Sequence, residues 1–160
     1  SLVKKSQFSK ISKPLAISLM IAIGIGFHNF GEGLAVGAAI ALGHAALSTF
    51  LIVGFALHNT TEGFAIAAPM TRAKTMVFRL FCLGLIAGTP AIFGTWIGGF
   101  SYSPFATVVF LSIGAGAIFQ VAMSIIQYIR EENENTISNI SILSGIGLGL
   151  IVMYFTSILI

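Results

Sequence analysis

Charge is what this sequence has least of. Only 8% of its 160 residues are Asp, Glu, Lys or Arg, while 56% are apolar. A water-soluble globular domain carries about a quarter charged residues. So few charges cannot cover a water-facing surface, which excludes an ordinary soluble domain and makes lipid the solvent for most of the chain. Cysteine is nearly absent as well: Cys82 stands alone, so no internal disulfide can form. Basic stripes are missing too. The net charge of +3 would suit a nucleic-acid binder, but each Lys and Arg lies in or beside a short connection and none lines an amphipathic face, so no nucleic-acid partner is expected. A cleavable signal peptide is excluded on length. Lys4, Lys5, Lys10 and Lys13 precede an apolar run that is longer than the roughly 7–15 residues of a signal core and contains Glu32. A chain that begins at Ser1 rather than Met reads as part of a longer translation product.

What is present is long apolar runs. Crossing a hydrocarbon core of ~30 Å takes roughly 20 helical residues. Five stretches qualify, at about residues 15–42, 45–70, 80–100, 105–129 and 140–160. None has the short alternating pattern of a barrel strand, and backbone groups in lipid must be satisfied within the segment, so all five are read as helices. The expected class is therefore all-α, a polytopic five-helix membrane bundle over residues 15–160 behind a basic cytoplasmic segment, 1–14. Ser12 with Pro14, and Ser103 with Pro104, read as helix starts. Pro69 falls at the end of the second span, and Thr89-Pro90 predicts a kink in the third. The many glycines read as packing positions where membrane helices approach closely.

Charge placement predicts orientation. Lys4, Lys5, Lys10 and Lys13, then Arg72, Lys74 and Arg79, then Arg130 all fall on one side if five helices alternate. That side is the cytoplasm. The chain is thus expected to be a multi-pass plasma-membrane protein with its N-terminus inside and its C-terminus outside. Glu131, Glu132 and Glu134 sit in the last inner loop and read as a solvated run.

Two acidic residues remain, and both lie inside spans. Glu32 follows His28 by four residues, and Glu62 follows His58 by four; an asparagine, Asn29 or Asn59, succeeds each histidine. Positions i and i+4 share one helix face. The segments His28-Asn29-Phe30-Gly31-Glu32-Gly33 and His58-Asn59-Thr60-Thr61-Glu62-Gly63 are copies 30 residues apart. The register continues through Ala35 and Ala65, then Ala38 and Ala68. Each copy begins about fourteen residues into its span, and the spans are antiparallel across a turn near Gly43-His44. The copies therefore meet at the bilayer midplane.

A carboxylate at the centre of a membrane helix costs on the order of 2.5–3.5 kcal/mol by insertion scales. Two facing carboxylates also repel. One divalent cation removes both problems. Two imidazoles and two carboxylates are donors for zinc, iron(II), manganese or cadmium, whereas a calcium or magnesium cage would not use histidine. His28, Glu32, His58 and Glu62 are accordingly the expected metal ligands. His44 lies at an outer helix end, away from them. Gln120, Ser112 and Ser124 read as interhelical glue or polar lining, and Trp96, Tyr102, Tyr128 and Tyr154 as interfacial anchors.

At these motifs the chain resembles the ZIP (Zrt-, Irt-like) family of divalent metal transporters, in its prokaryotic GufA-like branch. Members have eight transmembrane helices, with H-N-x-P-E-G-type motifs on the fourth and fifth around a binuclear site. The resemblance implies that this chain corresponds to the last five helices. It implies that His28, Glu32, His58 and Glu62 form the main transport site, and that Asn29 and Asn59, with the glutamates as bridges, serve a second metal. It further implies the metal as transported substrate, no organic cofactor, no enzymatic activity, and three preceding helices of the same protein as partners. A homodimer is left open.

The sequence departs from the family pattern at three points. The motif proline is Gly31 in one copy and Thr61 in the other. The third span has Thr89-Pro90 where many members bring a further glutamate, so one strong metal position with a weaker neighbour is expected. The first three helices, which the family pairs with the last three as inverted repeats, are not in this sequence. The reading that results is a divalent-metal transporter working towards the cytoplasm, with uptake falling at acid pH as protons compete for the histidines. Its rivals are an intramembrane metal-dependent hydrolase, for which no H-E-x-x-H segment exists, and a structural subunit whose polar motifs only join helices.

Overall fold

The computed structural model describes residues 12–71, 77–132 and 140–158. These form α1 (Lys13–Ala41), α2 (Ala45–Ala67) with a 3₁₀ turn (Ala68–Met70), α3 (Val77–Phe100), α4 (Pro104–Glu132) and α5 (Ile140–Ile158). No strand occurs among the described residues. The first four helices are long and apolar enough to cross a membrane. The fifth is not: its apolar part, Ile140–Phe155, is shorter. Of the five expected spans, four are thus long and apolar enough, and α5 falls short over its described residues. The basic segment Ser1–Ile11, Arg72, Lys74 and Glu134 lie outside the described residues.

Local chemistry explains the boundaries. Ser12 takes the extended backbone of a cap, yet its side chain makes no capping bond. Pro14 occupies the second helical position and has no N–H to offer. Ser103 succeeds where Ser12 does not, accepting from the Ala106 N–H at 3.4 Å. At the other end of α1, His44 N–H bonds Ala39 C=O and Gly43 N–H bonds Ile40 C=O. That pairing is a Schellman stop, and it needs the positive φ of 74° at Gly43. Pro69 converts the end of α2 into the 3₁₀ turn, because it cannot donate back to Ala65.

The bundle is built around α1. In its most apolar window 44% of residues are buried, against 11% in α2 and α4 and 17% in α3. α3 runs parallel to α1 with glycines from both helices interlocked. A Cβ on Gly33 or Gly37 would strike the Ala91 or Thr95 carbonyl, and one on Gly94 or Gly98 would strike the Phe30 or Leu34 carbonyl. Pro90 sits inside α3, which continues through it. Lacking an N–H, Pro90 leaves the Ile86 carbonyl without its helical partner, and that oxygen lies over Gly26 of α1. α4 crosses α1 on another side, where Gly114 faces the His28 backbone and Val121 reaches Gly24. Ile21, Ala22, Ile25, Ile66, Leu83, Ala87 and Val121 form one buried cluster beside the motifs. Lys13 and Glu131 pair at one end of the bundle, so α1 begins where α4 finishes.

Among the described residues, the side-chain hydrogen bonds of Ser112, Gln120 and Ser124 stay within α4. Ser112 bonds the Val108 carbonyl, Ser124 bonds the Gln120 carbonyl, and the Gln120 amide bonds Ser124. The glue half of that expectation is corrected: each finds its partner one turn away on its own helix.

Candidate metal centre

Two antiparallel helices joined by a three-residue turn bring the motif copies together. His28 and Glu32 project from α1, His58 and Glu62 from α2. The imidazoles stack with centroids 5.8 Å apart and planes 15° from parallel. Glu32 Oε1 lies 3.3 Å from both His28 Nε2 and His58 Nε2. Glu62 Oε1 is 3.6 Å from His58 Nε2 and 3.8 Å from His28 Nε2. Each carboxylate thus addresses the histidine of its own helix and that of the neighbour. Donor atoms of His28, Glu32 and His58 all fall within 4.8 Å of one another, close enough to share one ion.

The setting is enclosed. Side chains of Glu32 and Glu62 are 7% and 11% exposed, those of both histidines 23%. Three acceptors at the motifs are short of donors beyond these contacts. Asn29 donates from Nδ2 to the Ala87 carbonyl at 3.1 Å, but its Oδ1 is buried without a partner, as are Asn59 Oδ1 and Glu62 Oε2. These three oxygens can only accept. Burying an acceptor with no donor costs roughly 1–3 kcal/mol, and a bound cation could satisfy several at once. Ser18 Oγ, the remaining unpaired buried atom among the described residues, lies away from the motifs in sequence.

The fate of each expected site residue is therefore definite. The four His and Glu side chains converge. Asn29 is drawn onto α3 through its amide, and Asn59 keeps an unpaired oxygen. His44 is exposed at the start of α2, ~21 Å along the helix from His58 at 1.5 Å per residue. Thr61 turns inward, its hydroxyl donating to the His58 carbonyl at 2.6 Å.

A cleft of about 320 Å³ opens beside the His–Glu cluster. His28, His58, Thr61 and Glu62 form its polar end; Ile25, Ala65, Val121, Ile125 and Met153 contribute to its apolar walls. Sequence reasoning did not find Met153 or the α4 wall, because apolar residues on apolar helices carry no signal for which of them meet. A larger crevice of about 410 Å³ between α1, α3 and α4 is lined only by apolar residues such as Phe27, Phe30, Pro90 and Phe110, and offers no ligand chemistry. Comparison with models of known protein families, with curated proteins and with solved structures finds no match for this chain.

Proposed function

We propose that this chain is the five-helix, C-terminal part of a ZIP-like transporter that carries Zn²⁺ or a related divalent transition metal towards the cytoplasm. One observation carries the reading. Metal–ligand bonds of ~2.0–2.2 Å in a tetrahedron require donor atoms roughly 3.3–3.6 Å apart. The four His–Glu separations are 3.3, 3.3, 3.6 and 3.8 Å. His28, Glu32, His58 and Glu62 would replace the water shell of the ion, and their two negative charges would balance it at a depth where neither carboxylate is tolerable alone. Asn29 and Asn59 would assist through their unpaired oxygens. The resemblance at the two motifs supports the same assignment, with three preceding helices as the expected partners.

Release is as necessary as capture. Glu62 stands farther from both imidazoles than Glu32 does, and it keeps an unpaired buried oxygen at the cleft. An ion leaving the histidines can therefore be handed to Glu62 before it enters the cleft. The cleft residues Ile25, Ala65 and Ile125 lie on the side of the motifs towards the Lys13–Glu131 end. Lys13, Arg79 and Arg130 belong to helix ends on that side, which supports reading it as the cytoplasmic one.

The test is zinc flux into liposomes containing the complete protein. Saturable uptake that disappears in a Glu32→Gln, Glu62→Gln double variant is expected. Uptake no faster than in empty liposomes, or unaffected by the double substitution, sinks the proposal and favours motifs that only hold helices together.

A further inference from the structure

The two motif copies differ in the residue just before the glutamate, which is Gly31 on α1 and Thr61 on α2. That position lies about 60° round the helix from the histidine, on the side away from the asparagine. On α1 this side is closed: a Cβ on Gly31 would stand 3.5 Å from the Phe110 carbonyl and from Leu111 of α4. On α2 it is open, and Thr61 lines the cleft together with His28, His58 and Glu62. Only α2 therefore sets a polar group at this place, and it does so where an ion has room.

The proton of that hydroxyl is already committed. Thr61 donates it to the His58 carbonyl at 2.6 Å. A hydroxyl has one proton and two lone pairs, so what Oγ1 offers the cleft is an acceptor. Thr49, Thr60, Thr95 and Thr107 also bond carbonyls of their own helices, and for them local satisfaction is the whole explanation. Thr61 alone among these shares a cleft with the His–Glu cluster. Beside it, Glu62 Oε2 is buried and has no hydrogen-bond partner.

We infer that Thr61 Oγ1 is a further ligand, used by divalent ions that need more than a tetrahedron of donors, and that it sets which ions the site accepts. This rests on the metal site proposed above. His28 Nε2, His58 Nε2, Glu32 Oε1 and Glu62 Oε1 are the donors for a tetrahedral ion such as Zn²⁺. Manganese(II) favours an octahedral set richer in oxygen. Thr61 Oγ1 and the second oxygen of Glu62 complete such a set from the cleft side, both carried by α2. A hydroxyl is neutral, so it adds a donor without disturbing the balance of two carboxylates against one divalent ion. An apolar side chain at this position leaves the tetrahedral donors intact. The larger ion would then have to keep water in its shell, in a cleft whose other walls are apolar.

Binding of two ions to the purified complete protein decides the matter, with Mn²⁺ followed by loss of its free-ion paramagnetic resonance signal and Zn²⁺ by equilibrium dialysis. Thr61→Val keeps the β-branched shape and removes the hydroxyl, whereas Thr61→Ser keeps the hydroxyl. Thr61→Val is expected to weaken Mn²⁺ binding by about tenfold, the low end of what losing even an outer-shell partner costs, with Zn²⁺ affinity unchanged. Thr61→Ser should bind both ions as the parent does. Retained Zn²⁺ binding shows that the valine variant is folded, and Thr61→Ala repeats the measurement without valine's packing. Equal weakening of both ions in the valine and alanine variants would overturn the inference, because the hydroxyl would then only brace the turn between His58 and Glu62. No change for either ion, or a parent that holds Zn²⁺ but no Mn²⁺, would also overturn it while leaving the metal site standing. A parent that holds neither ion defeats the transport proposal and this inference together.

Discussion

α1 and α2 carry the same motif in opposite settings. α1 is wrapped by α2, α3 and α4 and buries 44% of its most apolar window; α2 buries 11%. Asn29 is held by a carbonyl of α3, while Asn59 is not held by one, and Gly33 is covered where Gly63 is open. The His and Glu side chains nevertheless meet almost symmetrically, with Glu32 equidistant from both histidines. Ligand geometry at a helix pair thus depends on the i, i+4 spacing and the short turn, while the rigidity behind each ligand depends on what packs on the far side. α1 is the more deeply packed half of the site, and α2 the more exposed one.

The largest effects are expected from removing the ligands that the two helices share. Glu32→Gln with Glu62→Gln should abolish bound metal, measured by elemental analysis after dialysis. Taken singly, Glu32→Gln should weaken binding more than Glu62→Gln, because Glu32 is closer to both imidazoles. Its effect should exceed the roughly 10–100-fold typical of losing an outer-shell partner. Equal losses would remove the asymmetry between the halves. Acid should act on both halves together. Histidine and carboxylate bind metal only when deprotonated, so zinc occupancy in an equilibrium titration should fall as pH is lowered. Occupancy that stays flat into the acid range would exclude imidazole ligands.

Packing differences come next. Gly33→Leu forces a side chain into the Ala91 carbonyl and should destabilise the purified chain by about 3 kcal/mol. Gly63→Leu, which meets open space, should stay within about 0.5 kcal/mol. Unfolding in mixed detergent reads both, and similar losses would erase the distinction between covered and open faces. The smallest effect belongs to the asparagines. Asn29→Ala loses a hydrogen bond between membrane helices, worth about 0.6–1.7 kcal/mol, whereas Asn59→Ala should leave stability unchanged.

The converging His–Glu cluster was legible in the sequence because charge inside an apolar span is costly enough to leave few residues that can bear it. His28, Glu32, His58 and Glu62 stand out for that reason, and their matched depth follows from counting along the helices. Four spans and their ends were legible through length, Pro69 and Ser103-Pro104. The remainder was not, for physical reasons. Whether Ser12 caps depends on an N–H that Pro14 removes. Whether Gln120 reaches another helix depends on rotamers that its own Ser124 captures. Which apolar helix lies against α1 depends on interlocked glycines of α1 and α3, and glycine also recurs on α5, at Gly145, Gly147 and Gly149, where no such contact forms among the described residues.

The central claim is a divalent metal held by two histidines and two glutamates between α1 and α2. X-ray absorption at the zinc edge, on protein equilibrated with zinc and freed of excess, tests it most directly. Zinc in a shell of nitrogen and oxygen at ~2.0–2.2 Å, with scattering from two imidazoles, is the predicted result, lost in the Glu32→Gln, Glu62→Gln variant. Protein that retains no more zinc than that variant, or zinc bound without imidazole, would contradict it.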